Sequence, residues 1–182
     1  FMNTTAVAVW AIGQRLAELA QRLANQLNDI LFPAVVENDA AARLDRLRRI
    51  FVDGTKLSLA AVVPLAGVLF LFADPLVLAW VGPSFQASVE VLQLLAIVVV
   101  IRVGNATGAT VLKGAGSHRV VAATNLGTAL CNVALSIALV TPFGLRGVAL
   151  GTLVPVAAGS LLLLFPLACR RVDLGVGQAV SR

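Results

Sequence analysis

Three stretches of this chain run without a charged side chain for longer than an ordinary soluble helix sustains. Residues 57–73, 120–145 and 147–169 contain no Asp, Glu, Lys or Arg over 17, 26 and 23 positions. A helix needs roughly 20 apolar residues to cross the hydrocarbon of a bilayer. A fourth stretch, about 87–112, is equally apolar and is interrupted only by Glu90 near its start and Arg102 inside it. No alternation of period two recurs at strand length, which argues against a membrane β-barrel. The pattern predicts an all-α integral membrane bundle of about five transmembrane helices, the fifth being an amphipathic segment that precedes the four apolar runs.

Composition closes off the alternatives. Hydrophobic residues make up 59% of the chain and charged residues 13%, against about 25% charged in soluble domains. Mean hydropathy is +0.93. A chain of 182 residues cannot hide that much apolar surface in its own interior, because small domains keep a large surface-to-volume ratio. Fourteen Lys and Arg would suit a nucleic-acid partner if clustered, but they fall between apolar runs, so no nucleic acid is expected. Cys131 and Cys169 have no CxxC neighbour or nearby His and read as small packing residues. His118, beside Arg119, reads as a solvated loop residue. No catalytic constellation and no cofactor motif is present, so an enzyme is not expected.

The first segment, about 4–32, is different. On a helical wheel, Gln14, Arg15, Glu18, Gln21, Arg22, Asn25, Gln26, Asn28 and Asp29 fall on one half, and Ile12, Leu16, Leu19, Ala20, Leu23, Leu27, Ile30 and Leu31 on the other. Such a helix spans a bilayer only if its polar half faces protein or water; the alternative is a helix lying flat on the membrane. Pro33 is expected to stop it. Asn38 or Asp39 is then positioned to cap a short amphipathic helix over 40–52, with Leu44, Leu47, Ile50 and Phe51 as its stripe and arginines around them. Gly54 is expected to break that helix. The resulting organisation is a cavity-lining transmembrane helix (1–36), a cytoplasmic connector (37–56), a bundle of four transmembrane helices (57–169) and a tail (170–182).

Loop charges set the orientation. The connector holds Arg43, Arg46, Arg48, Arg49 and Lys56, the loop near 113–119 holds Lys113 and Arg119, and the tail holds Arg170, Arg171 and Arg182. The opposite loops, 74–88 and 141–146, hold only Arg146. The positive-inside rule places the basic side in the cytoplasm. A spanning first helix then puts the N-terminus outside and the C-terminus inside.

Small residues at Gly104 and Gly108, and at Gly147 and Gly151, have the spacing of close helix contacts. Asn125, Thr128, Asn132 and Ser136 form one stripe that either joins helices or faces a cavity. Arg102 is the strongest anomaly: a charge inside a span is costly and marks a pathway or a partner, with snorkelling as the bland alternative.

Three stretches resemble the C-terminal half of polysaccharide-type flippases, exporters of O-antigen and other lipid-linked oligosaccharides in the superfamily that also holds drug antiporters of the multidrug-and-toxin type. They are the amphipathic helix running into LFPAVVENDAAARLDRLRR, the segment FADPLVLAWVGPSFQASVEVLQLLA, and LKGAGSHRVVAATNLGTALCNVALSIALVTPFGLRGVALGTLV. The resemblance covers residues 10 to 165. It implies a two-lobed transporter of roughly 12–14 helices, of which this chain is most of the second lobe. Its partners are then the missing N-terminal lobe, membrane lipids and a lipid-linked oligosaccharide. The chain begins at Phe1 and is expected to be an internal piece of a longer protein. The implied activity is translocation of a polyprenyl-diphosphate-linked saccharide across the bacterial inner membrane by alternating access, in lipopolysaccharide or other polysaccharide biosynthesis. For such a substrate, Arg forks suit diphosphate oxygens and amides suit sugar hydroxyls, which points to Arg15, Glu18, Gln21, Arg22, Asn25 and Arg102 as the binding residues. A drug or cation antiporter of the same superfamily would want a lone intramembrane acid; Glu18 fits that role poorly because Arg15 and Arg22 flank it. A non-transporting structural subunit is the remaining alternative.

Overall fold

The computed structural model describes residues 4–174. Arg182, and the side chains of Leu23 and Leu27, lie outside the described residues. Helices account for nearly all of that length: α1 (Thr4–Ala40), α2 (Leu44–Leu71), α3 (Ala73–Val81), a 3-10 turn (Pro83–Phe85), α4 (Ser88–Gly114), α5 (His118–Ala158), a π-helical segment (Gly159–Leu164) and α6 (Phe165–Arg171). No strand occurs among the described residues.

Three helical stretches are long and apolar enough to cross a membrane: Leu44–Leu71, Ser88–Gly114 and His118–Arg171. The last has 54 residues, about 81 Å if straight, far more than a bilayer is thick. It folds back at Gly144, whose φ of 58° and ψ of −135° only a residue without Cβ adopts readily. The turn therefore falls where Thr141-Pro142-Phe143-Gly144 signals it. The limbs on either side, 118–143 and 145–171, pack antiparallel. A side chain at Gly147 would strike Leu139, one at Gly151 would strike Ser136 and one at Gly159 would strike Thr128. The small residues here thus let two backbones approach. Gly108 plays the same part between α4, Phe51 and Ala168.

α4 is the central helix, and α1, α2 and α5 pack on it. α1 and α4 run parallel. Ser88 Oγ donates to the Val9 carbonyl at 2.9 Å, and Thr107 Oγ1 donates to Asn28 Oδ1 at 2.8 Å; both pairs are 79 positions apart. Gly13 against Val91 and Val35 against Gly114 keep the same register. Constant separation is the signature of parallel helices, so α1 accompanies α4 over its full length.

Three expectations about the first 54 residues are corrected. α1 does not stop at Pro33 but continues to Ala40. Pro33 faces outward, while Val35 and Asn38 beyond it are buried. Packing of Val35 against Gly114 holds the last turns despite the lost backbone bond. Asn38 therefore caps nothing: it lies inside α1 and its Nδ2 donates to the Ala34 carbonyl at 2.7 Å, and α2 starts at Leu44 without a side-chain cap. Nor does Gly54 break a short surface helix. It is buried inside α2, where the side chains of Leu31 and Thr107 crowd the position a Cβ would take. Of the expected stripe, Leu47 and Phe51 are buried in the bundle and Leu44 is exposed. The buried part of the stripe faces protein, not a membrane surface.

The ends of the bundle differ. At one end, Arg48 donates to the Val172 carbonyl (2.7 Å) and to the Asp173 carbonyl (2.8 Å) and pairs with the Asp173 carboxylate, and Arg171 pairs with Asp39 at 2.8 Å. These contacts gather the α1–α2 turn and the end of α6. At the other end, Arg146 pairs with Glu90 and Gln86 donates to Asp74. Two apolar clusters fill the interior. One, around Val62, Leu69, Val77, Leu92, Leu95 and Val99, lies toward the Arg146 end; the other, around Val35, Leu47, Phe51, Val111 and Cys169, lies toward the basic end. Between them, at the level of α4 residues 102–110, the packing turns polar, with Asn28, Asn105, Thr107 and Thr110 buried.

Candidate functional site: a polar cavity between the apolar layers

At that polar level α5 stands away from α1 and leaves a cavity of about 600 Å3. α1 contributes Gln21, Asn25, Asn28 and Asp29 to its wall; α4 contributes Arg102, Asn105, Thr110 and Lys113; α5 contributes Asn125, Thr128 and Asn132; and the π segment adds Gly159 and Ser160. A smaller space of about 180 Å3 continues it toward the other end, between Trp10, Gln14, Glu18 and Leu95, and shares Gln21, Arg102 and Asn132 with it.

Helical periodicity builds each wall. On α1, positions 14, 18, 21, 25 and 28 follow one narrow stripe. It is organised as a chain of hydrogen bonds: Trp10 Nε1 donates to Gln14 Oε1 at 2.6 Å, and Gln14 Nε2 donates to Glu18 Oε1 at 2.8 Å. On α4, Arg102, Ala106, Ala109 and Lys113 follow the same rule, with small residues between two cations. Arg102 makes no ion pair among the described residues. On α5, Asn132 serves both as glue and as lining. It accepts from Ser136 Oγ at 3.0 Å and from Thr152 Oγ1 at 3.4 Å, and it borders both spaces. Pro166 cannot donate a backbone bond and crowds the carbonyl four residues before it. The π segment that precedes it carries the backbone past this point and sets Ser160 at the cavity wall.

The structure brings together Gln21, Asn25 and Arg102, and places Glu18 in the adjoining space. Arg15 and Arg22 line neither. Both are exposed, roughly 80–100° around α1 from the stripe, and Arg22 Nη2 lies 3.6 Å from Glu18 Oε2. Glu18 is thus tied to Arg22 and not to Arg15. Lys113, Asn28, Asp29 and Asn105 were not singled out as site residues from sequence. Lys113 had a signal, being 11 positions and three turns after Arg102 on the same face.

The cavity's wall carries two cations, one carboxylate and a ring of amides and hydroxyls. Amides offer donors and acceptors together, and a guanidinium and an ammonium are suited to anionic oxygen. Among the described residues no group of three or more His, Cys, Asp and Glu is placed to hold a metal ion.

Comparison with known proteins gives this geometry a setting. Over 166 residues, 89% of the chain, it is 24% identical to a Haloferax volcanii protein named "Probable flippase AglR". The match covers 34% of that protein, so the chain spans about a third of its relative's length. No solved structure matches. The family model MatE matches residues 2–138. That is well over half of its length, and the chain belongs to the MatE family.

Proposed function

We propose that this chain is most of one lobe of a flippase, and that its polar cavity receives the head group of a polyprenyl-diphosphate-linked saccharide during alternating access. The carrying observation is the wall of the cavity. Arg102, at the polar level between the two apolar layers, and Lys113, in the last turn of α4, share this wall with amides from α1 and α5, and a charge inside a span would otherwise be costly. In this reading Arg102 and Lys113 hold the diphosphate, and Gln21, Asn25, Asn125 and Asn132 take sugar hydroxyls.

Two further observations support it. α1 lies parallel to α4 in register, so wherever α4 crosses the bilayer α1 crosses with it. Arg15 and Arg22 then stand within the span, level with Leu94 and Ile101, exposed and unable to face lipid. A second protein lobe or a water-filled passage must cover them, and transporters of this kind build their site between two such lobes. Arg15 and Arg22 would serve from the lobe interface. The basic end is assigned to the cytoplasm by the positive-inside rule, in the inner membrane if the parent organism is bacterial.

In the full-length parent protein, Arg102→Gln with Lys113→Gln is expected to abolish export of lipid-linked saccharide at unchanged protein abundance, and Arg102→Lys to restore it in part, keeping charge without the fork. Normal export by the double variant would sink the assignment. Loss of export on Arg15→Gln, Arg22→Gln alone would move the diphosphate to the lobe interface.

A further inference from the structure

A second opening lies on the flank of the bundle. α2, α4 and the π segment enclose a groove of about 450 Å3. Its length is apolar, formed by Leu59, Val100, Ile101, Leu161 and Phe165, with Gly104 as a floor that carries no side chain. Its polar groups gather near the basic end. Lys56 is the last charged residue before the charge-free run 57–73 and so stands where the hydrocarbon begins. It makes no ion pair among the described residues.

Beside Lys56, Thr55 Oγ1 is buried without a hydrogen-bond partner. Asn105 also lines the groove; it is 7% exposed and its Oδ1 has no partner either. The Nδ2 of the same amide is taken by the Ile101 carbonyl at 3.1 Å, so what remains, in the wall that the groove shares with the central cavity, is an acceptor in want of a donor. Buried polar groups are normally satisfied, and each exception asks for an occupant. A cation, a hydroxyl and an acceptor at one end of an apolar trough describe the complement of one kind of molecule.

We propose that this groove binds one anionic glycerophospholipid from the leaflet at the basic end. Its phosphate meets Lys56, a head-group hydroxyl donates to Asn105 Oδ1, and an acyl chain lies along Leu59, Val100 and Leu161. The site is separate from the saccharide reading: it holds a resident lipid and stands whether or not the central cavity transports anything. Asn105 lies in the wall between the two.

The test is photolabelling of the chain in phosphatidylcholine vesicles that contain a little phosphatidylglycerol with a diazirine in its acyl chain. Label is expected on Leu59, Val100 or Leu161 several-fold above that on Leu126, Leu130 and Ile137 of α5, although those three are more open. Unlabelled phosphatidylglycerol should compete and unlabelled phosphatidylcholine should not. Lys56→Gln is expected to lower groove labelling about fivefold, and Lys56→Arg to keep it. Gly104→Leu fills the floor and should remove labelling with any head group; the exposed Lys56 position keeps the test open if that variant fails to fold. Equal labelling of groove and α5, or equal competition by the zwitterionic lipid, would reduce the groove to ordinary lipid contact. An unlabelled groove would mean that a protein segment fills it. Either result overturns the proposal.

Discussion

α1 and the first limb of α5 are both walls of the central cavity, and they are held in opposite ways. α1 is fastened along its length. Val9 is bonded to Ser88, Gly13 packs on Val91, Asn28 is bonded to Thr107, and Val35 sits on Gly114. The limb 118–143 has one fully buried residue, Val121. Leu126, Leu130, Val133 and Ile137 along it point outward, where a bilayer would cover them. The limb hangs between two positive-φ glycines, Gly116 and Gly144, and is joined to the bundle mainly through its contact with the returning limb. One wall is built into the bundle and the other is braced by a single seam. The shape of the cavity therefore depends on that seam more than on any residue that lines it.

The sharpest way to break this contrast is to put one methyl group behind each wall, on α2 at Gly54 and on the returning limb at Gly151. A Cβ at Gly151 would fall 2.7 and 2.8 Å from the backbone N and Cα of Ser136. Backbone cannot step aside, so Gly151→Ala is expected to cost about 2–3 kcal/mol and to separate the limbs. A Cβ at Gly54 would fall 2.8 Å from Leu31 Cδ1 and 2.9 Å from Thr107 Cγ2. Leu31 Cδ1 is the end of a flexible side chain, and Thr107 Cγ2 moves only with the hydroxyl bonded to Asn28, a cost offset by the helix propensity, about 1 kcal/mol, that alanine gains over glycine. Gly54→Ala should change stability by less than about 1 kcal/mol. Thermal unfolding in detergent measures both. Equal losses would show that the α1 side is as dependent on a single seam as α5.

What was legible in the sequence follows the same division. The charge-free runs, the reversal near Gly144 and the segregation of arginines to one end are properties of composition along the chain, and they read directly. The continuity of α1 through Pro33 and of α2 through Gly54 was not legible. Local propensity opposes both, and only the neighbours Gly114, Thr107 and Leu31 hold the helices together there. The candidate cavity was legible in part. Gln21, Asn25 and Arg102 come to one cavity because the wheel marks the right half of α1 and because Arg102 is the one charge in the middle of α4. The cavity uses a stripe much narrower than a half, so Arg15 and Arg22 share the polar half and yet lie off its wall. Lys113 counted as a loop charge, and nothing short of the fold shows that it borders the cavity from the last turn of α4.

A smaller effect sharpens the account of how α1 ends. Ala42 closes the helix with φ of 52°, while the Arg43 N–H bonds back to the Asn38 carbonyl at 2.9 Å. This is the left-handed closure that glycine makes without strain, and an L-residue there loses roughly 1–2 kcal/mol. The greater freedom of glycine in the unfolded chain cancels part of the gain. Ala42→Gly is therefore expected to stabilise the chain by about 0.5–1 kcal/mol, read as a raised Tm. A lowered Tm would mean that the turn is not held in this conformation.

The smallest effect expected is at the bond that fixes α1 at cavity level. Thr107→Val keeps the shape and the β-branch but removes the hydroxyl that donates to Asn28 Oδ1. In water-exposed surroundings such a loss would vanish into solvent. Here both groups are buried, and Asn28 retains other interactions. Hydrogen bonds between membrane helices average about 0.6 kcal/mol, because the separated helices also find partners. A loss of about that size is expected in detergent unfolding, well below the Gly151→Ala effect, since the bond is one of four fastenings spread along α1. A loss as large as that of Gly151→Ala would reverse the comparison. It would make Asn28–Thr107 the single brace of α1, and the wall that looks built in would be the one that depends on one contact.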